Sequence, residues 1–292
     1  MDTAPSSGAQ TPSSTVSSAT SATTASTTSQ TESTSTLTRK VPLDFLHFQD
    51  LFSTTGTPSN TSAQSPLWYI LTTAVLLSFH KEKLVGDLWT YLASCLEINA
   101  SDDELLATAR RIREACLKAS TLVGFPRAIN ALFALKTAID TTHPSISTIF
   151  SSDTSLRSDL DASAKYDRGM AFFRQIYQKH TSRVLATMDT TSGGDLTHFA
   201  INCIYGELLS EHSIISGLET GLLEFICCLA DGCGPQAKGH FFGSLNLGAG
   251  NEIIRASVQL TEDLAQQLKL PCPWKEEDVA AEFRFLDKVM RP

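Results

Sequence analysis

Residues 217–258 read GLETGLLEFICCLADGCGPQAKGHFFGSLNLGAGNEIIRASV, and their pattern decides the fold. Leu222 to Leu229 make an apolar helical run. Asp231-Gly232-Cys233-Gly234-Pro235 then breaks it, and Pro235 suits the first turn of a new helix, where its missing N–H would be unpaired anyway. That second helix carries Gln236, His240, Phe241 and Leu245. A Gly-rich turn, Leu247-Gly248-Ala249-Gly250, leads to a third helix opening at Asn251. Cys233 falls beside a helix N-terminus, whose partial positive charge favours a thiolate. Gln236 and His240 are one turn apart. If the helix starts this early, Cys233, Gln236 and His240 share one stripe.

Outward from this stretch the pattern stays helical. Trp68, Ile70, Leu71, Ala74, Val75 and Phe79 are apolar nearly all round, as a buried helix requires. An amphipathic helix follows over 81–97, with Leu84, Leu88, Trp89 and Leu92 inward. Ser101-Asp102-Asp103-Glu104 spells a capping box and opens a helix to about Ser120. Its Arg110, Arg111 and Arg113 are expected to face solvent, or else a partner. Gly124-Phe125-Pro126 is a break, and 127–140 a further helix. Residues 143–165 read as a linker rich in Ser, Thr and Asp. One long helix is expected over 166–188, another over 195–209, and a last one over 275–290. Tyr205-Gly206-Glu207 and His198 lie on a helix that should pack on the central one. Period-2 alternation is nowhere sustained, so no strand is predicted. The fold class is all-α, in two helical halves over 65–142 and 166–292. A small-residue turn and an early Glu recur at 99–104 and 248–252, a hint of internal duplication.

Residues 1–38 are more than half Ser and Thr, with one Leu and no Lys or Arg. Such a stretch buries too little apolar area to offset its ordering entropy, so 1–64 is expected to be a disordered tail and linker. Within it, 41–52 carries apolar residues at helical spacing and forms a possible docking helix. Net charge is −8, which gives no footprint for nucleic acid. The seven cysteines are an odd count in apolar surroundings and read as free thiols in a reducing compartment. No Cys/His spacing resembles a metal site, and neither metal nor cofactor is expected. The apolar run 67–79 is too short to span a bilayer. A soluble intracellular protein is expected, cytoplasmic by default, with mitochondrial or peroxisomal location left open.

The order helix, Cys233-x-x-Gln236-x-x-x-His240, small-residue helix, Gly-rich turn, helix resembles the carboxymuconolactone decarboxylase and AhpD-like superfamily. So does the earlier segment Leu122-Val-Gly-Phe-Pro-Arg-Ala-Ile-Asn-Ala-Leu132. The resemblance runs over residues 66–268. It implies an all-α fold, self-association and a small-molecule substrate. AhpD-like peroxidases pair two cysteines, and here Gln236 stands at the second cysteine position. Their relay glutamate would fall near Gly221, with Glu219 and Glu224 off register. The Gln-x-x-x-His spelling is closer to the decarboxylase branch, which implies His240 as acid/base and Gln236 as a polar positioner on a small organic acid. A carboxylate anchor is then needed, and Arg255 or Arg127 is expected to supply it. Peroxidase or thiol-redox activity through Cys233 is one alternative. An oligomeric scaffold with a decayed site is the other, in which His240 and Cys233 are structural and Cys227 and Cys228 are core.

Overall fold

The computed structural model describes residues 43–53, 66–96, 100–153 and 160–290. Among these the chain is helical and contains no strand, as the absence of alternation predicts. The helices are α1 (Phe45–Asp50), α2 (Leu67–Ser78), α3 (Val85–Leu96), α4 (Asp102–Val123), α5 (Phe125–Thr142), α6 (Pro144–Ser152) and α7 (Ala162–Tyr177). Then come α8 (Thr181–Ser192), α9 (Asp195–Phe199), a π-helix (Ala200–Leu209), α10 (Gly217–Ala230), α11 (Gly234–Asn246), α12 (Asn251–Leu268) and α13 (Asp287–Met290). The expected tail and linker lie outside the described residues except for α1, which docks through buried Phe45 and Phe48.

The centre of the molecule is α2. Every one of its residues is buried, enclosed by α1, α4, α10 and α12. Hydrophobic burial of a Leu or Ile side chain contributes about 2 kcal/mol, so Ile70, Leu71, Leu76 and Leu77 alone make this helix a major source of cohesion. One continuous apolar core joins α1 to α6 with α10 to α13. The two expected halves therefore share a core. A second, smaller core lies between α7 and the π-helix, built on Met170, Phe172, Phe173 and Tyr205.

Local signals place several boundaries. The Ser101–Glu104 capping box is present at the head of α4, and a second one, Ser216–Glu219, opens α10. Pro126 and Pro235 sit in the first turns of α5 and α11. The head of α12 has no side-chain cap, so the parallel with α4 does not extend to capping.

Four expectations are corrected. The linker range 143–165 contains α6, which buries Ile146 and Phe150; a single apolar pair in a Ser/Thr-rich run was too weak a periodicity to read. The helix over 166–188 is broken by a turn of 3₁₀-helix at Gln178–His180, where Gln178 has φ of 42°. The segment 275–290 is mostly 3₁₀ turns rather than one helix. The arginines of α4 are bound within the fold. Arg110 and Arg113 both pair with Asp153 at the end of α6, while Arg111 pairs with Glu219 and donates to the Ile214 carbonyl at 2.6 Å. Hydrogen bonding from Arg110, reinforced by Arg113, holds the Asp153 carboxyl below its ordinary range.

Candidate functional site

The helix pair α10–α11 faces inward, and α7 packs on the other side of α11. Small residues allow that approach. A methyl group at Gly243 would come within 2.6 Å of Ile176 Cγ2, and Asn246 Nδ2 donates to the Ile176 carbonyl at 2.8 Å. His240 is thereby buried between α7 and α10, with the Tyr177 ring 6.2 Å away, centroid to centroid.

Opposite His240 stands Glu224, with no exposed surface at all. Its Oε2 lies 3.6 Å from His240 Nδ1. Both carboxyl oxygens and Nδ1 are buried without a hydrogen bond of acceptable geometry. The Tyr205 hydroxyl is nonetheless close enough to bias both the Glu224 carboxyl and the Tyr177 hydroxyl. Desolvation dominates the electrostatics of the cluster, because burial penalises whichever form is charged. It pushes the Glu224 carboxyl up to about 8, against opposing pulls from Lys118 and Tyr205. It pushes the His240 imidazole down to about 4. Tyr177 and Tyr205 are raised for the same reason. One proton, carried on the carboxyl, is thus held next to a neutral imidazole.

Of the residues expected from sequence, only His240 belongs to this pair. Cys233 is half-buried as the N-cap of α11. Its thiol donates to Asp231 Oδ2 at 3.5 Å, and desolvation followed by Asp231 raises it, opposite to the direction a helix N-terminus alone would give. Its backbone N–H bonds the Cys228 carbonyl at 2.9 Å. Gln236 is exposed one turn before His240. Arg127 is engaged elsewhere, donating to the Ser78 carbonyl at 3.2 Å and lying 3.9 Å from Asp231 Oδ1. Arg255 ties down the C-terminal segment through the Val289 carbonyl at 2.6 Å. Cys227 and Cys228 are core residues, and burial raises both thiols.

Glu224 is the functional candidate that family spacing missed. The space at Gly221, where the family spacing places a relay glutamate, is filled by Leu247, whose Cδ1 would meet an added methyl at 2.5 Å. The signal was in the sequence all the same: Glu224 is the lone charge in the apolar run 220–230. A carboxyl in such a run is buried by its neighbours' periodicity and needs a polar partner across the helix interface.

No protein-family profile matches the chain, and neither does any solved structure. Two curated relatives do. Peroxisomal protein 2 of Schizosaccharomyces pombe is 33% identical over 157 residues, which cover 54% of this chain and 70% of the relative. Peroxisomal protein 2 of Saccharomyces cerevisiae is 31% identical over 163 residues, covering 50% of this chain and 57% of the relative. With more than two thirds of the fission-yeast protein matched at this identity, the chain belongs to the Peroxisomal protein 2 family.

Proposed function

We propose that this protein performs acid–base chemistry on a small organic acid, of the decarboxylase type implied by its resemblance to the carboxymuconolactone decarboxylase and AhpD-like superfamily. One observation carries the reading. A carboxyl and an imidazole, both buried and both short of hydrogen-bond partners, stand 3.6 Å apart. Buried polar groups are normally satisfied, and the exceptions call for a reason. With Glu224 protonated, Nδ1 of His240 is the acceptor and the ring proton falls to Nε2. Loss of carbon dioxide from an organic acid leaves an electron pair on carbon. Nε2–H supplies the proton that quenches it, and Glu224 restores that proton through Nδ1. The thiol-based alternative has less support, because Cys233 is held protonated by desolvation and Asp231.

The test is carbon dioxide release from a panel of short dicarboxylic and keto acids. Glu224→Gln and His240→Ala are each expected to lower turnover by about 100-fold or more, the usual range for a general acid or base. Undiminished turnover in His240→Ala would end this reading.

The pair also sets a pH dependence of stability. Between pH 6.5 and 8 the folded chain keeps a proton on Glu224 that the unfolded chain has lost, so stability falls as pH rises. The fall is about 2 kcal/mol across that window. Below pH 6.5 the depressed His240 contributes with the opposite sign and offsets it down to about pH 4.5. Thermal melts of Glu224→Gln should lose the decline above pH 6.5. A variant that declines as steeply as the native chain would show Glu224 to be ionised in the fold.

We further infer that the chain self-associates with a second copy through α5. Phe125, Ile129 and Phe133 lie at i, i+4 and i+8 and are 64%, 62% and 74% exposed. Such a stripe can cross its own copy about a two-fold axis, so one patch serves both subunits. Phe133→Asp is expected to sediment as a monomer where the native chain sediments as a larger species; a native monomer at its highest soluble concentration would remove the inference. No described helix is long and apolar enough to cross a membrane. The name shared by both relatives supports a peroxisomal location, and a fluorescent fusion that stays diffuse would count against it.

A further inference from the structure

Away from the Glu224–His240 pair, α7, α8, α9 and the π-helix line an open cleft of about 260 Å³. It exists because the chain kinks at Gln178–His180. Beyond the kink, α8 departs from α7, and α9 links it back to the π-helix. The floor is apolar, with Met170 and Ile201 buried and Leu185 half-buried. The rim is polar, made by Tyr166, Asp189, Thr197, His198 and Asn202, and Asp189 is its one charged carboxylate. Asp189 brings a carboxylate, and no hydrogen bond or ion pair engages that side chain among the described residues. The amide N–H groups of Asn202 are spent on His198, donating to its carbonyl at 2.9 Å and facing its Nδ1 at 3.3 Å, which leaves the amide oxygen free. Thr197 turns its hydroxyl to the Leu185 carbonyl at 3.5 Å. Tyr166 adds a phenol oxygen. No lysine or arginine lines the cleft.

A site whose one charged group is an unpaired carboxylate, with an amide oxygen free beside it, is complementary to a cation that donates hydrogen bonds. The apolar floor is complementary to a short hydrocarbon chain. We propose that this cleft binds a small aliphatic amine, with the ammonium group on Asp189, Asn202 and Tyr166 and the alkyl part on Met170, Leu185 and Ile201. The ligand class is opposite in charge to the organic acid assigned to Glu224 and His240, so the two sites do not compete. The inference does not depend on the catalytic reading.

The experiment is ligand-observed saturation-transfer NMR on the full chain at pH 7, with n-butylamine, n-butanol and butyrate as probes. The expected order is a clear response to butylamine, a weaker one to butanol and none to butyrate. Asp189→Asn, a change at an exposed position, should weaken butylamine at least tenfold. Leu185→Trp should abolish the response by filling the floor, which separates this cleft from diffuse attraction of amines to an acidic protein. Equal responses to butylamine and butyrate would overturn the proposal. So would an unchanged butylamine affinity in either variant.

Discussion

Replacing Gly169 by alanine is expected to lower the melting temperature by about 5 °C, the equivalent of about 3 kcal/mol in a chain of this size. Gly169 lies where α7 crosses the π-helix with the two backbones in contact. A methyl group there would fall inside the carbonyl oxygen of Ile201 and only 2.7 Å from the Gly206 nitrogen. Both obstacles are main chain, so no rotamer change relieves them. Gly206 faces the reverse problem, since a methyl group on it would overlap the Lys165 carbonyl. The helices must move apart, which opens the small core of Phe172, Phe173 and Tyr205 and draws Tyr205 away from Glu224. Circular dichroism melts of Gly169→Ala and Gly206→Ala test this. A change under about 2 °C in both would mean that the crossing has slack, contrary to ordinary overpacking costs.

Lys118→Met is expected to destabilise the fold by about 4 kcal/mol, within the range for breaking a buried charged network from one side. Lys118 has no exposed surface, yet its ammonium is well satisfied. It donates to the Leu209 carbonyl at 3.1 Å, to the Glu211 carbonyl at 2.6 Å and to Thr220 Oγ1 at 2.8 Å, with Glu114 Oε1 at 3.8 Å. The Leu209 carbonyl ends the π-helix and that of Glu211 lies just beyond it, and a cation at a helix C-terminus is favourable. The residue therefore pins α4, the π-helix and α10 at one point. Methionine keeps the stem but leaves those carbonyls and the carboxylate without the charge. Pairing the variant with Glu114→Gln should recover part of the loss, because the second change removes a buried anion. The charge of Lys118 also pulls the Glu224 carboxyl down, so its removal should raise that carboxyl further and carry the stability decline to higher pH. Denaturant titration reads both effects, and a loss below about 1 kcal/mol would contradict the assigned network.

How far the sequence could be read depended on how local each determinant was. The burial of α2 followed from an apolar run without a polar face, and α4 from a capping box that needs four consecutive residues. The break at 231–235 and the starts of α5 and α11 followed from Gly and Pro, which act on their own backbone. The π-helix could not be read in this way. Its extra residue per turn is tolerated because Gly169 and Gly206 let α7 approach, a fact about two segments rather than one. The same holds for the kink at Gln178 and for the arginines of α4, whose partners lie about 40 and 100 residues away. In the candidate site, His240 was legible from its motif. The family spacing points to Gly221, whereas the sequence marks Glu224 by a plainer anomaly, one carboxylate inside LLEFICCLA. Arg127 and Arg255 were legible as cations, but not as cations already committed to backbone carbonyls.

The enclosure of α2 has a consequence for how the protein is made. This helix leaves the ribosome well before α10 and α12, which cover two of its sides and are encoded about 150 residues later. At ordinary rates of elongation, about 5–20 residues per second, its most apolar surface stays uncovered for roughly ten seconds or more. Over that interval the sides of α2 that face α10 and α12 are open to other apolar surface, so aggregation during synthesis is a hazard that the stability of the finished fold does not remove.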